Sequence, residues 1–144
     1  MKRLVKTGEF AVGKSDEILF SKASQCVLAG LVSNSGFGLA HISNTNFVDD
    51  FNNFLDKLKV KNCDDINVFY VVGGAYAFVP QYGQIWGNLV AERVLSYLGD
   101  KGLTGCVEKD CNFGPDSSKK DFNRYLEVSK NDVVYKGCKD CTEF

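Results

Sequence analysis

The chain has one histidine, His41, so an imidazole base, if it uses one, is that residue. Net charge is nearly absent as well: 17 basic side chains against 18 acidic ones leave −1. Such a balance gives no electrostatic footprint for nucleic acid or for an anionic membrane. No apolar run approaches the roughly 20 residues that cross a bilayer, which speaks against membrane insertion. The opening Met1-Lys-Arg-Leu-Val-Lys-Thr-Gly-Glu9 is basic but lacks the apolar stretch of a secretory leader. These absences lead to the expectation of a cytoplasmic protein, with a secreted effector that travels without a cleaved signal left open. Internal repeats and linkers are missing too, and 144 residues fit one domain, 1–144.

What is present is ordinary globular material, 44% apolar and 24% charged, enough to bury a core. Cysteine is plentiful by comparison. Cys26 and Cys63 stand alone, whereas Cys106-x4-Cys111 and Cys138-x2-Cys141 form two late pairs. Paired spacing can mean zinc. Here the first gap is loose and the second pair lies almost at the end of the chain, so no metal ligands are assigned. A zinc clasp, disulfides and reduced, half-buried thiols remain the alternatives.

Periodicity predicts an α+β protein. Glu9 to Val12 alternates as an opening strand, and Ile18-Leu-Phe20 is a short apolar run. Phe47, Val48, Phe51, Phe54, Leu55 and Leu58 recur at helical steps, with Thr45 or Asn46 as the N-terminal cap. Asp49 and Asp50 suit the positive end of that helix, and Lys57 and Lys59 its negative end. Asn62 to Asp65 reads as a turn. Ile66 to Val72 is the strongest strand and runs into Gly73-Gly74, where the backbone must turn or approach another segment. Asn88 to Leu98 predicts a second helix, with Val90, Val94, Leu95 and Leu98 inward, Trp86 packed just before it and Gly99 as its C-terminal cap. Leu103–Glu108, Arg124–Val128 and Val133–Tyr135 are short strand candidates, and Asn112 to Lys120 is a polar loop. Strands with two main helices inserted suggest a mixed α/β sandwich.

The chemistry is concentrated in one segment. Val27 to Val32 and Phe37 to Ile42 are apolar runs joined by Ser33-Asn-Ser-Gly36, which is turn chemistry. A two-residue or a four-residue loop gives the same register: Val32 faces Phe37, Leu28 faces His41 and Cys26 faces Ser43. Cys26 and His41 are then diagonal neighbours on one face of the hairpin, within reach of each other. A one-residue slip would separate them. A thiol beside an imidazole is the minimal unit of a cysteine nucleophile with its base, suited to acyl transfer. Such a thiol is expected to alkylate well below pH 8 and faster than the other five. Backbone N–H groups of Cys26 and of the Ser21–Gln25 approach would supply an oxyanion hole. Ser21, Ser24 and Ser43 are candidates to hold the imidazole.

Several short motifs in order carry a resemblance. Gly8-Glu-Phe-Ala-Val12, Ser24-Gln-Cys26-Val27 and Gly38-Leu-Ala-His41 are followed by Val71-Val-Gly-Gly-Ala75-x-x-Phe78 and Ile85-Trp-Gly-Asn88. This stretch, from about Gly8 to Lys109, resembles the CheD family of chemoreceptor glutamine deamidases. The resemblance implies a mixed α/β sandwich of the kind found in cytotoxic necrotizing factor-type toxins. It implies hydrolysis of a protein glutamine side chain to glutamate without a cofactor, acting on a protein substrate, with a chemotaxis regulatory partner. Cys26 falls on the family's nucleophile and His41 on its base. The family's third residue is a threonine six positions before the cysteine. Counting back six reaches Phe20, so Ser21 takes that role with one residue deleted between. Gln25 replaces the family's serine beside the nucleophile, and Cys111-Asn-Phe-Gly-Pro-Asp116 stands in place of its Gly-Gly-x-x-x-Arg segment. With these departures the expected substrate is a chemoreceptor or another protein, including a host protein if the chain is an effector. A rival of another class is a non-catalytic binding protein on the same fold, with the late cysteines as a clasp.

Overall fold

A computed structural model describes residues 1–23, 25–74, 78–79, 84–111 and 123–138. The elements in chain order are β1 (Lys2–Leu4), β2 (Phe10–Val12), β3 (Ile18–Ala23), β4 (Val27–Ser33), β5 (Phe37–Ile42), α1 (Val48–Lys57), β6 (Ile66–Gly73), β7 (Phe78–Val79), β8 (Gln84–Ile85), α2 (Trp86–Asp100), β9 (Glu108–Cys111), β10 (Asn123–Val128) and β11 (Val133–Cys138). Two mixed sheets result, ordered β1-β3-β10-β11 and β2-β5-β4-β6-β9, with β7 and β8 as a separate ribbon. The fold is α+β, with two main helices.

The five-stranded sheet is apolar on both faces. Val27, Ala29, Leu31, Ala40, Ile42, Phe69 and Val71 face α1 and α2, where Phe51, Phe54, Leu58, Val94 and Leu98 pack on them. Leu28, Val32, Phe37, Leu39 and Val72 face the four-stranded sheet, meeting Leu19, Ala23, Leu126, Val128 and Val133. β4 is buried along its whole length for this reason, and its continuous apolar run is what two covered faces require. Gly30 lets the sheets approach: a Cβ there would press on Val128, Leu126 and Val133.

Most elements fall where the periodicity puts them, and the differences have local causes. Lys2–Leu4 is a strand, parallel to β3, that three residues of sequence could not announce. The N-cap of α1 is Phe47, with no side-chain cap bond, in place of Thr45 or Asn46. Val48, counted in the apolar stripe, is 46% exposed. At the other end of α1, Ser33 of the hairpin turn donates its hydroxyl to the Leu58 carbonyl at 2.8 Å. α2 begins at Trp86 and includes Gly99; the turn out of it uses Gly102, at φ +72°. Leu103–Glu108 is largely a 3₁₀ turn (Thr104–Cys106), and the strand starts only at Glu108. Asn62–Asp65 carries a reciprocal cap between the Asn62 and Asp65 side chains around a 3₁₀ turn, Cys63–Asp65.

Cys63 is not isolated. It pairs with Cys106 in a disulfide with a Cα–Cα distance of 5.6 Å, normal for such a bond. The two residues precede β6 and β9, which are parallel neighbours, so the bond ties the starts of two paired strands. Cys106 thereby leaves the pairing with Cys111 suggested by spacing. Cys111 ends β9 and Cys138 ends β11. Ser24, Ala75, the Asn112–Lys120 loop and Cys141 lie outside the described residues. Among the described residues no helix is long and apolar enough to cross a membrane.

Candidate active site

β4 and β5 pair with Leu28 opposite His41 and Val32 opposite Phe37. This is the register read from the turn. The ladder starts at Val27, so Cys26 stands one residue before it. Strand alternation puts His41 with Phe37 and Leu39, whose side chains fill the space between the sheets. Cys26 packs against that same inter-sheet cluster, half-buried. Cys26 is a free thiol.

The opposing sheet supplies the third group. β3 alternates Leu19, Ser21 and Ala23 inward, and Ser21 is 1% exposed. Its Oγ lies 2.7 Å from His41 Nδ1 and donates to the Val5 carbonyl at 2.8 Å. A hydroxyl has one proton. With that proton committed to Val5, Ser21 must accept from Nδ1–H, which leaves the lone pair on Nε2. The arrangement fixes both the ring and its tautomer, the property required of a group that orients a base. Of the three serines considered, Ser21 makes this contact; Ser24 lies outside the described residues.

Val5 was not visible as part of the site. It is placed by β1, whose pairing continues through Val5 N–H to the Phe20 carbonyl at 2.9 Å. Arg3 holds this strand down, with Nε 2.9 Å from Glu17 Oε2 and a second nitrogen on the Val12 carbonyl at 3.2 Å. The backbone of His41 is fixed independently: its N–H donates to the Glu9 carbonyl at 2.9 Å and its carbonyl accepts from Gly8 at 2.8 Å. Arg124 is a buried charge on the same sheet as Ser21. It is 2% exposed, opposite Ala23 in β10, in the inward row with Leu126 and Val128. A short strand candidate gives no sign that its first charged residue points inward.

Burial pushes the Cys26 thiol above its usual 9.0. Burial likewise pulls His41 below its usual 6.5, opposed in part by the nearby Val5 carbonyl. Both directions favour the uncharged forms. The resting pair is therefore a thiol and a neutral imidazole, not a preformed thiolate, and the early alkylation expected of an activated thiol is not what this environment favours. The neutral pair can still carry out acyl transfer if the imidazole takes the thiol proton as the sulfur attacks. No three metal-ligating side chains gather among the described residues.

In comparisons with known proteins, no family model matches the chain and no curated protein matches it.

Proposed function

We propose that the protein is a cysteine-dependent protein glutamine deamidase, related to the CheD family, working as one domain without a cofactor. The single observation that carries this reading is the buried Ser21–His41 hydrogen bond on the inter-sheet face against which Cys26 packs. In the proposed reaction His41 Nε2 takes the Cys26 proton while the sulfur attacks the side-chain carbonyl of a substrate glutamine. The tetrahedral intermediate collapses as His41 returns the proton to the amide nitrogen, and ammonia leaves. A water molecule, deprotonated by His41, attacks the thioester and releases glutamate and the thiol. The overall change is amide plus water to acid plus ammonia. Ser21 acts throughout by holding Nδ1–H, so that Nε2 faces the chemistry as a base.

The Cys63–Cys106 bond favours one version of this reading. Disulfides persist in oxidising surroundings and are rare in the cytosol. An effector-type deamidase, folded or acting outside the bacterial cytoplasm on a host protein, accounts for the bond. A cytoplasmic chemoreceptor deamidase would keep the two thiols reduced.

The test is mass spectrometry of candidate protein substrates incubated with wild type, Cys26→Ser and His41→Ala, following conversion of amide to acid together with ammonia release. Wild type is expected to convert a specific glutamine. Cys26→Ser is expected to abolish turnover, and His41→Ala to lower it by roughly 10²–10⁴-fold. Turnover surviving in Cys26→Ser overturns the reading.

A further inference from the structure

Two glycines at the end of β6 have no part in the chemistry proposed so far. Gly73 has φ +100° and Gly74 φ +70°, a region where most side chains are strained. The ladder between β4 and β6 closes at the pair Val27–Gly73. One step further, the Gly74 N–H donates to the Cys26 carbonyl at 2.9 Å. The α-carbon of Gly73 sits against that same carbonyl. A Cβ there would collide with the Cys26 oxygen and lie 3.4 Å from the Cys26 carbonyl carbon and 3.5 Å from Val27 Cα. The obstacle is backbone, which cannot swing aside as a side chain can.

We infer that Gly73 and Gly74 are positioning residues for the Cys26 thiol. The inference rests on the reading of Cys26 as the nucleophile. Cys26 lies outside the β4–β5 ladder, so strand pairing with β5 does not fix its backbone. Holding its carbonyl sets rotation about the Cys26 Cα–C bond, and with it the direction in which the thiol leaves the chain. Gly74 supplies the donor, and its positive φ lets the following chain leave while the 73–74 peptide keeps its N–H on that carbonyl. Gly73 supplies the room, by having no Cβ. A side chain at 73 displaces the carbonyl, and a residue at 74 that cannot keep φ positive withdraws the donor. Both changes move the sulfur relative to His41 without touching substrate contacts elsewhere. Displacements of about 1 Å in a reacting group cost roughly 10²-fold in rate.

The experiment compares Gly73→Ala, Gly74→Val, Gly74→Asn and a strain control, Gly102→Ala. Gly102 also has positive φ and follows α2, and no atom lies within 4 Å of where its Cβ would stand, so its substitution imposes similar backbone strain far from Cys26. Each variant is measured for kcat and KM on a confirmed glutamine substrate, for the rate at which iodoacetamide modifies Cys26, and for thermal midpoint. Gly73→Ala and Gly74→Val are expected to lower kcat by about 10²-fold, with KM changed little and the Cys26 modification rate changed several-fold. Gly74→Asn, which keeps the N–H and tolerates positive φ, is expected to retain wild-type kcat. Gly102→Ala is expected to lose thermal stability but keep both kcat and the modification rate. Wild-type kcat in Gly73→Ala and Gly74→Val, or an equal loss in Gly102→Ala, overturns the inference. If Gly73→Ala does not fold, the Gly74 pair decides, and equal kcat in the Val and Asn variants overturns it. Failure of the deamidase reading looks different: Cys26→Ser then turns over like wild type. If wild type shows no turnover, the iodoacetamide rates decide, and identical rates in all four variants and wild type overturn the clamp.

Discussion

At the scale of single residues, one proton on Ser21 decides the state of the only imidazole in the chain. Because that hydroxyl donates to Val5, Nδ1 of His41 carries the proton in their contact, and burial favours the neutral ring, with its lone pair on Nε2. The linkage to stability has a definite sign. The folded pKa of His41 is below the unfolded 6.5, so the unfolded chain binds more protons near and below that pH, and stability falls as pH drops through this range. The folded pKa of Cys26 is above 9.0, so stability falls again as pH rises past that value. Among the described residues, the carboxylates of Glu17, Asp65 and Glu127 are held below their usual range by hydrogen bonds, so they titrate below the histidine range. Urea unfolding followed across pH should therefore show a plateau between about pH 6.5 and 9, with the decline between about pH 6.5 and 5 absent in His41→Gln. A decline that persists in His41→Gln would assign it to another group. Turn chemistry made the hairpin register of His41 legible in the sequence, whereas Ser21 was singled out only through a resemblance whose count of six fell on Phe20, one residue away. The sequence could not show Val5, whose role arises from a strand of the other sheet lying across the gap.

At the scale of elements, the helices were easier to read than their ends. Phe51, Phe54, Leu55 and Leu58 declared α1 by spacing alone, and all four are buried. The exit from α1 shows why ends are harder. The Val60 N–H bonds the Leu55 carbonyl at 2.9 Å and the Lys59 N–H bonds Asp56 at 3.1 Å, a terminator that normally uses glycine at the left-handed position. Here that position is Lys59, at φ +56°. The same pair of bonds closes α2 with Gly102 in that place, through Leu103 to Leu98 and Gly102 to Gly99. A lysine in this conformation costs roughly 1–2 kcal/mol, and glycine returns about 0.5–1 kcal/mol of that as chain entropy. Lys59→Gly should therefore stabilise the protein by about 0.5–1 kcal/mol in urea denaturation. A loss of stability would mean that the lysine side chain contributes more than its backbone costs. The strand expected over Leu103–Glu108 begins later, at Glu108, for a related reason: Leu103 is a buried anchor for the α2 exit, and with Val107 it imitates a strand.

At the scale of the whole molecule, two sheets and a pair of helices make two cores that share the five-stranded sheet. The fold class was legible because β4 and β6 are mostly continuous apolar runs while the helices alternate. The bond between Cys63 and Cys106 was not legible, since nothing in the spacing links residues 43 positions apart. A closure of that length stabilises by about 4 kcal/mol in the chain-entropy account, with measured values commonly 2–4 kcal/mol. Cys63→Ala with Cys106→Ala should lower the thermal midpoint by roughly 10 °C. The unreduced wild-type protein should weigh at least two hydrogens less than its reduced form. Equal midpoints for wild type with and without reductant would show that the bond adds nothing. The site residues Ser21, Cys26 and His41 lie outside the closed segment, so the chemical step should survive wherever the double variant folds.

That bond also separates chain order from covalent connectivity. Lys101 is exposed at the end of α2, between the two bridged cysteines. A trypsin cut after it divides the sequence, yet the pieces before and after the cut stay joined through Cys63 and Cys106. A singly nicked molecule should run as one band on a denaturing gel and as two once reductant is added. Outside a cell, where proteases are common and reductant scarce, a break in that segment would not release the strands that follow.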